Sequence, residues 1–292
     1  MQQNFDYGQF VARNSGYIAD ATQQSMRQTR LLIAGCGIGS STAICATRMG
    51  FENFILVDGD VVDAHNLNRQ FYNQADVGRA KVDALKDAIL AINPRASVEA
   101  VHAYLSAENT PSIVGRSDIV FDTIDFLDLK AILGLHGTAK VLGRPVFTAL
   151  SVGFGALTWF FPAGGAVSLI DLLEPDIAAA RNAAAGCEPS YADVFSSFVN
   201  RLAPFLDDDV VEQVSKVLRL MKEGRPCPAS QVAVGSFAIA AMATSMIQQL
   251  LAGEQVPAAP DMVLHSFKRQ QTRIVTLPGM SSTTSATSDP MR

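Results

Sequence analysis

Short apolar runs alternate with longer amphipathic stretches over the first half of the chain. Five of these runs are bounded by Gly, Pro or polar residues and have the length of buried strands: RLLIAG, NFILVDGD, ASVEAVHA, SDIVFDTID and RPVFTAL. The stretches between them have helical spacing, and two carry stop signals, at Gly50 and at Asn93-Pro94. Strands and helices in alternation predict an α/β fold with a doubly wound, mainly parallel sheet.

The pattern changes after about residue 150. GALTWFFPAG predicts a further strand, and MVLHSFKRQQTRIVTL predicts a hairpin. Residues 171–230 are predicted to be irregular apart from a helix at DDVVEQVSKVLRLMKEG. The apolar run VAVGSFAIAAMATSMIQQLLAG contains Ser, Thr and Gln, which favours a buried helix over a membrane span. The predicted fold class is therefore α/β, a Rossmann-like doubly wound sheet with an antiparallel C-terminal extension.

Four segments follow from these patterns. Residues 1–29 are predicted to form a polar helical segment, and residues 30–150 are predicted to form the Rossmann-like core. Residues 151–278 are predicted to be the second half of the same domain, with a crossover region and the hairpin. The Ser/Thr-rich stretch 279–292 is predicted to be a disordered tail.

Composition excludes several classes of protein. Of the 292 residues 48% are hydrophobic, enough for a large core, and a net charge of −5 without a basic stripe gives no support for nucleic-acid binding. The four cysteines form no C-x-x-C pair, so no zinc is expected, and the start MQQNFDYGQF lacks the features of a secretory signal. We therefore expect a cytoplasmic protein that is not bound to a membrane.

A glycine-rich loop follows the first predicted strand. Gly35, Gly37 and Gly39 stand between that strand and a helix, where backbone N–H groups can approach a phosphate. Asp58 ends the second predicted strand, nineteen residues after Gly39, where a carboxylate can accept hydrogen bonds from ribose hydroxyls. This context predicts a ligand that contains adenosine, but it does not distinguish NAD from ATP.

The next segment favours ATP. A triphosphate needs more cationic and polar donors than a dinucleotide does. The run Asn66, Arg69 and Gln70 is followed by Lys81 at the start of a predicted helix, and these residues have no role in a nicotinamide-dependent oxidoreductase.

The series GCGIGS, VDGDVVDAHNLNRQ, VGRAKV and DTID resembles the adenylyltransferase superfamily of ThiF, MoeB and HesA, and the adenylation domains of ubiquitin-activating E1 enzymes. The resemblance covers about residues 30–150. It implies that ATP and Mg²⁺ are used to activate a carboxylate as an acyl-adenylate, with release of pyrophosphate. The residues it assigns to the nucleotide are Gly35, Gly37, Gly39, Asp58, Asp60, Asn66, Arg69, Gln70 and Lys81.

The resemblance also implies the catalytic residues. Asp125, the second acid of DTID, is the expected magnesium-associated catalytic residue, together with Arg69 and Lys81. Arg13 matches an arginine that reaches into the partner's site, which implies a homodimer. Cys227 lies where the family's loop cysteine tends to fall and is a candidate nucleophile, with Cys187 as the competing candidate.

The sequence departs from the family pattern at Phe126, where Asn is usual after the second acid. This departure leaves open a non-catalytic, E1-like nucleotide-binding scaffold, and an NAD-dependent oxidoreductase is the other alternative. The expected substrate is the C-terminus of a small carrier protein or peptide, or a small-molecule carboxylate. Nothing in the sequence identifies it or its acceptor.

Overall fold

Eight strands form one sheet in the order β3-β2-β1-β4-β5-β6-β7-β8. The structure, a computed structural model, describes residues 5–126, 128–183, 191–223 and 230–281. Neighbouring strands are parallel from β3 to β5 and antiparallel from β5 to β8. The strands are β1 (Arg30–Ala34), β2 (Asn53–Val57), β3 (Ser97–Val101), β4 (Ile119–Asp122), β5 (Val146–Ser151), β6 (Gly155–Phe161), β7 (Asp261–Ser266) and β8 (Gln271–Thr276).

This topology confirms the predicted fold class. All eight strands coincide with runs identified in the sequence, including the C-terminal hairpin of β7 and β8. The strand order reverses between β1 and β4, and in doubly wound sheets ligands bind at this point, outside the carboxyl ends of the strands.

Helices cover both faces of the sheet because alternate strand residues are buried on opposite sides. Leu31 and Ile33 of β1 belong to one buried cluster, whereas Leu32 and Ala34 belong to the other. The described α-helices are α1 (Tyr7–Val11), α2 (Asp20–Gln28), α3 (Gly39–Met49), α4 (Lys81–Ile92), α5 (Thr110–Gly115), α6 (Leu129–Val141), α7 (Leu169–Ala183), α8 (Tyr191–Leu202), α9 (Asp208–Lys222) and α10 (Ala233–Leu251).

The apolar helix α10 is a core helix, as predicted. Among the described residues it is the one helix long and apolar enough to cross a membrane, and half of it is buried in the protein. The Ser41 hydroxyl of α3 donates to the Ser236 carbonyl of α10 at 2.9 Å. Gly235 leaves no space for a Cβ, which would lie 2.2 Å from Ser151 Oγ of β5. The start of α10 therefore packs close to the glycine loop.

The prediction of an irregular region at 171–230 is wrong. Helices α7 and α8 occupy much of it, and α9 is the one helix the sequence predicted there. Buried Asp176 of α7 accepts hydrogen bonds from Arg201 (2.5 Å) and Ser197 (2.8 Å) of α8, so the two helices stabilise each other despite Pro175 inside α7. Residues 282–292, most of the predicted tail, lie outside the described residues.

Candidate active site

The glycine loop joins the carboxyl end of β1 to the start of α3. Gly35 has φ of +88°, and a Cβ there would lie 2.5 Å from the Thr123 carbonyl oxygen in the loop after β4. A Cβ on Gly39 would lie equally close to the Thr123 hydroxyl. Only glycine fits these positions, so the two loops at the reversal of strand order pack directly against each other.

Asp58 lies at the carboxyl end of β2, beside this loop. Its carboxylate accepts hydrogen bonds from the Cys36 N–H of the glycine loop (2.7 Å) and from the Asp60 N–H (2.8 Å). These two backbone donors fix the carboxylate at the edge of the loop, where a ribose was predicted. Cys36 is buried, and burial raises the pKa of its thiol well above the ordinary value, so it is not a thiolate nucleophile.

Asp60 connects Lys81 to an aromatic residue that sequence reasoning missed. Lys81 Nζ lies 2.7 Å from Asp60 Oδ2, and the Tyr104 hydroxyl donates to Asp60 Oδ1 at 2.5 Å. Burial raises the pKa of the Asp60 carboxyl, but the hydrogen bonds from Lys81 and Tyr104 outweigh it and leave the pKa below its ordinary value. The Tyr104 ring is exposed and lies over Gly59. An aromatic face thus stands beside the predicted ribose site.

The polar run after β2 surrounds the glycine loop. Asn66 is buried, and its side-chain oxygen accepts the Asp63 N–H at 2.9 Å, which closes a short 3₁₀ turn. Gln70 is buried against Gly37, and its Oε1 has no hydrogen-bond partner in the described structure. An unpaired buried oxygen is costly, so Gln70 has an acceptor ready for a ligand donor at the loop.

Arg69 is half-buried and lies close to Asp125. Its Nε donates to Gln231 Oε1, and its Nη1 donates to the His65 carbonyl at 2.9 Å. Burial lowers the pKa of Arg69, while the negative charge of Asp125 opposes that shift. Gln231 lies two residues before the start of α10, so a segment far along the chain contributes to this part of the site. The sequence carries no signal for that contact.

Asp125 is exposed in the middle of the loop between β4 and α6. The Thr123 hydroxyl donates to the Gly35 carbonyl at 2.7 Å, which fastens this loop to the glycine loop. Phe126 packs against Phe195 and Phe198 of α8, with ring centroids 4.8 and 5.6 Å away. The phenylalanine that replaces the family's usual Asn thus anchors α8 rather than lining the site.

Three predicted residues are not brought to this site by the described chain. Arg13 is exposed in a 3₁₀ turn, and its neighbour Asn14 donates to the carbonyl of Met49, the last residue of α3. The glycine loop is at the opposite end of α3, about 16 Å away at 1.5 Å per residue. Cys187 and Cys227 lie outside the described residues, so their roles stay predictions.

The family model of the ThiF family matches residues 11–285. The chain belongs to the ThiF family. Its match extends well beyond the motif-bearing residues 30–150 and includes α7 to α10 and the C-terminal hairpin.

Relatives of this ThiF-family chain include two named adenylyltransferases. The adenylyltransferase and sulfurtransferase uba4 of Aspergillus terreus is 32% identical over 129 residues, which cover 44% of this chain and 26% of that protein. The probable adenylyltransferase/sulfurtransferase MoeZ of Mycobacterium tuberculosis is 31% identical over 125 residues, covering 42% of this chain and 31% of that protein. The matched stretch thus spans only about a quarter to a third of these relatives.

Solved structures share the fold over almost the whole chain. PaaA is 21% identical with a TM-score of 0.65, covering 92% of this chain and 79% of that one. Escherichia coli MccB, solved with ATP, is 17% identical with a TM-score of 0.66, covering 94% of this chain and 72% of that one. These similarities support the fold of this ThiF-family protein.

Proposed function

We propose that this ThiF-family protein is an ATP-dependent adenylyltransferase that activates a carboxylate as an acyl-adenylate and releases pyrophosphate. The observation that carries the proposal is the packing of the Asp125 loop on the glycine loop, beside Arg69. A phosphate-binding backbone, a cation and a carboxylate meet at the point where doubly wound sheets bind ligands. The named adenylyltransferase relatives favour ATP over NAD as the nucleotide.

The reaction needs positioning and charge neutralisation rather than a protein nucleophile. A substrate carboxylate oxygen attacks the α-phosphorus of ATP, the bond to the β-phosphate oxygen breaks, and pyrophosphate leaves. Asp58 holds the ribose, while the backbone N–H groups of the glycine loop and the Gln70 amide NH2 donate hydrogen bonds to the phosphates. Arg69 and Lys81 offset the negative charge that grows on the leaving group. Lys81 exchanges part of its contact with Asp60 for phosphate.

Asp125 suits a magnesium ion held jointly with the phosphates. Magnesium is commonly bound by one or two carboxylates together with phosphate oxygens, and Asp125 is an exposed carboxylate beside Arg69. Within the described parts of the chain, no three His, Cys, Asp or Glu side chains are grouped to hold a metal alone. Bound there, the ion would neutralise negative charge on the phosphates.

The substrate we propose is the C-terminal carboxylate of a peptide or small carrier protein. MccB has been solved with N-formylated MccA, and its fold matches this one over most of the chain. We also propose that the enzyme is a cytoplasmic homodimer, with Arg13 completing the partner's site, because Arg13 is far from the site in its own chain.

Exchange of labelled pyrophosphate into ATP tests the activity. The assay uses Mg–ATP with a panel of synthetic peptides that have free C-termini and different last residues. We expect at least one peptide to support exchange, and the Asp125→Asn variant to lose about 100-fold or more in rate. Asp128→Asn is the matched control, since Asp128 is exposed nearby and Asn caps α6 as well as Asp does.

Two outcomes would contradict the proposed activity, and a third would contradict the role of Asp125. Binding of ATP without exchange for any peptide or small acid would favour the nucleotide-binding scaffold. Tighter binding of NAD than of Mg–ATP would favour the oxidoreductase. Equal loss of exchange in the Asp125→Asn and Asp128→Asn variants would contradict the specific role of Asp125.

A further inference from the structure

A buried polar cluster lies directly behind the loop that carries Asp125. Asp122 ends β4, Thr148 lies on β5 and His136 lies on α6, and each is at most 6% exposed. The Thr148 hydroxyl donates to Asp122 Oδ2 at 3.1 Å. His136 Nε2 lies 3.1 Å from the same carboxylate oxygen and 2.9 Å from Thr148 Oγ1.

The strand register and the helix bring these three side chains together. Asp122 and Thr148 are direct partners in the parallel pair of β4 and β5, so both side chains point to the same face. His136 reaches them from α6, which covers that face. The Phe161 ring packs edge-on against the imidazole, with centroids 4.9 Å apart. The hydrogen bonds and the contact with Phe161 together fix the orientation of the His136 imidazole.

The cluster satisfies a carboxylate that would otherwise be costly to bury. A buried ionised carboxyl needs hydrogen-bond donors, and Asp122 accepts from His136 and Thr148 on Oδ2. A carboxylate has no proton to give, so His136 must carry its proton on Nε2 to serve as a donor. The other oxygen, Oδ1, accepts the Ile124 N–H at 3.1 Å.

Through Asp122, this buried cluster restrains the loop that carries Asp125. The Ile124 amide is fixed to Asp122, and the adjacent Thr123 hydroxyl is fixed to the Gly35 carbonyl at 2.7 Å. The two residues immediately before Asp125 are therefore both held by hydrogen bonds, Thr123 through its side chain and Ile124 through its backbone amide. Loss of a donor to Asp122 would let the carboxylate turn and release the Ile124 amide.

We propose that His136 and Thr148 are positioning residues that set the direction of Asp125 through Asp122 and the Ile124 amide. The inference rests on the proposed adenylylation reaction for its catalytic consequence. Neither residue touches the nucleotide site, so both affect the rate of the chemical step more than the affinity for ATP. A displacement of about 1 Å in a group that positions the reacting atoms can lower the rate by about 100-fold.

Four variants separate positioning from general stability. His136→Phe keeps the ring but removes the donor, and His136→Gln keeps a donor near the position of Nε2. Thr148→Val removes the hydroxyl from the cluster. Thr158→Val is the matched control, because Thr158 is fully buried on the neighbouring strand β6 and its hydroxyl has no partner in the described structure.

Two measurements are made on each folded variant. In pyrophosphate exchange we expect His136→Phe and Thr148→Val to lower kcat about 10-fold or more, with KM for ATP changed less than about 2-fold, and His136→Gln to recover most of the rate. In hydrogen exchange followed by NMR, we expect the Ile124 amide to exchange about 10-fold faster in His136→Phe and Thr148→Val than in wild type. Thr158→Val should change neither quantity.

The outcomes are distinct. A lower melting temperature with unchanged kcat in His136→Phe and Thr148→Val, or equal changes in kcat and KM, would overturn the inference. So would wild-type protection of the Ile124 amide in both variants. Absence of exchange activity in the wild type would instead contradict the proposed function, and the Ile124 amide would still test the link from His136 to the loop. Should His136→Phe not fold, Thr148→Val makes the same test.

Discussion

Two glycines with the same backbone angle show how the site constrains single residues. Gly35 and Gly78 both have φ of +88°, a value that side-chain-bearing residues disfavour. They differ in what surrounds them. A Cβ at Gly35 would overlap the Thr123 carbonyl, whereas nothing lies within 4 Å of a Cβ at Gly78. The comparison isolates steric contact between the two site loops from backbone strain.

We therefore expect Gly35→Ala to abolish ATP binding and to destabilise the protein by more than Gly78→Ala does. The second substitution carries only the backbone cost, about 1 kcal/mol. Calorimetric titration with Mg–ATP and urea denaturation of both variants provide the measurements. Equal losses in the two variants would mean that the contact between Gly35 and Thr123 does not matter.

The Lys81–Asp60 pair gives a prediction about pH. The pKa of Asp60 in the folded protein lies below its ordinary value of 3.8, so the pair stabilises the fold above that pH. The contribution is lost as pH falls through the lower, folded-state pKa. Asp60→Asn should lower the free energy of unfolding at pH 7 by up to about 1 kcal/mol, since Asp60 is partly exposed. The difference from wild type should shrink as the pH is lowered below 3.8.

Urea denaturation between pH 7 and pH 3 measures this difference. Lys81→Met supplies the control, because Asp60→Asn should have a much smaller effect in that background. A pH-independent difference, or the same loss in the Lys81→Met background, would contradict the role of the pair.

The residues that the structure brings together in the candidate site could be predicted where they lie close to one another in the sequence. The glycine loop, Asp58 and Arg69 follow one another along the first strand–helix–strand unit, and their context indicates phosphate and ribose. Tyr104 and Gln231 come from segments whose position depends on tertiary packing. Neither has a local pattern that places it beside Asp60 or Arg69.

At the scale of elements, the pair α7 and α8 is where sequence reasoning failed. Pro175 disfavours a helix by its local chemistry, and it lies within the segment that was predicted to be irregular. The buried contact of Asp176 with Arg201 comes from a different helix and outweighs that local preference. An apolar spacing in α8, with Val194, Phe198 and Leu202, was the signal that could have revealed the helix.

Phe126 connects α8 to the loop that carries Asp125, so replacing it with the Asn usual in the family should reduce the stability of the fold. We expect Phe126→Asn to lower the free energy of unfolding by about 1–3 kcal/mol, because it removes the packing on Phe195 and Phe198 and leaves an amide among apolar groups. Phe267→Asn is the control, since Phe267 is half exposed and its loss should be smaller. Urea denaturation provides the comparison, and unchanged stability of Phe126→Asn would contradict the anchoring role.

At the scale of the whole molecule, the chain separates Arg13 from the site it is predicted to serve. Arg13 lies near the last residue of α3, and the glycine loop lies at the first. A rigid helix between them prevents an approach within one subunit. In the proposed symmetric dimer each subunit gives the same surface to the other, and Arg13 would reach the site of the partner.

Mixing two inactive variants tests this arrangement. Arg13→Ala and Asp125→Asn should each lack pyrophosphate exchange alone. In an equimolar mixture with free subunit exchange, half of the dimers are mixed, and each of these contains one site with Asp125 from one subunit and Arg13 from the other. The mixture should therefore recover about a quarter of wild-type activity. Arg48→Ala, which removes another exposed arginine near the same end of α3, should be active alone. Exchange of subunits is verified by native mass spectrometry, and mixed dimers without recovered activity would exclude a role for Arg13 in the partner's site.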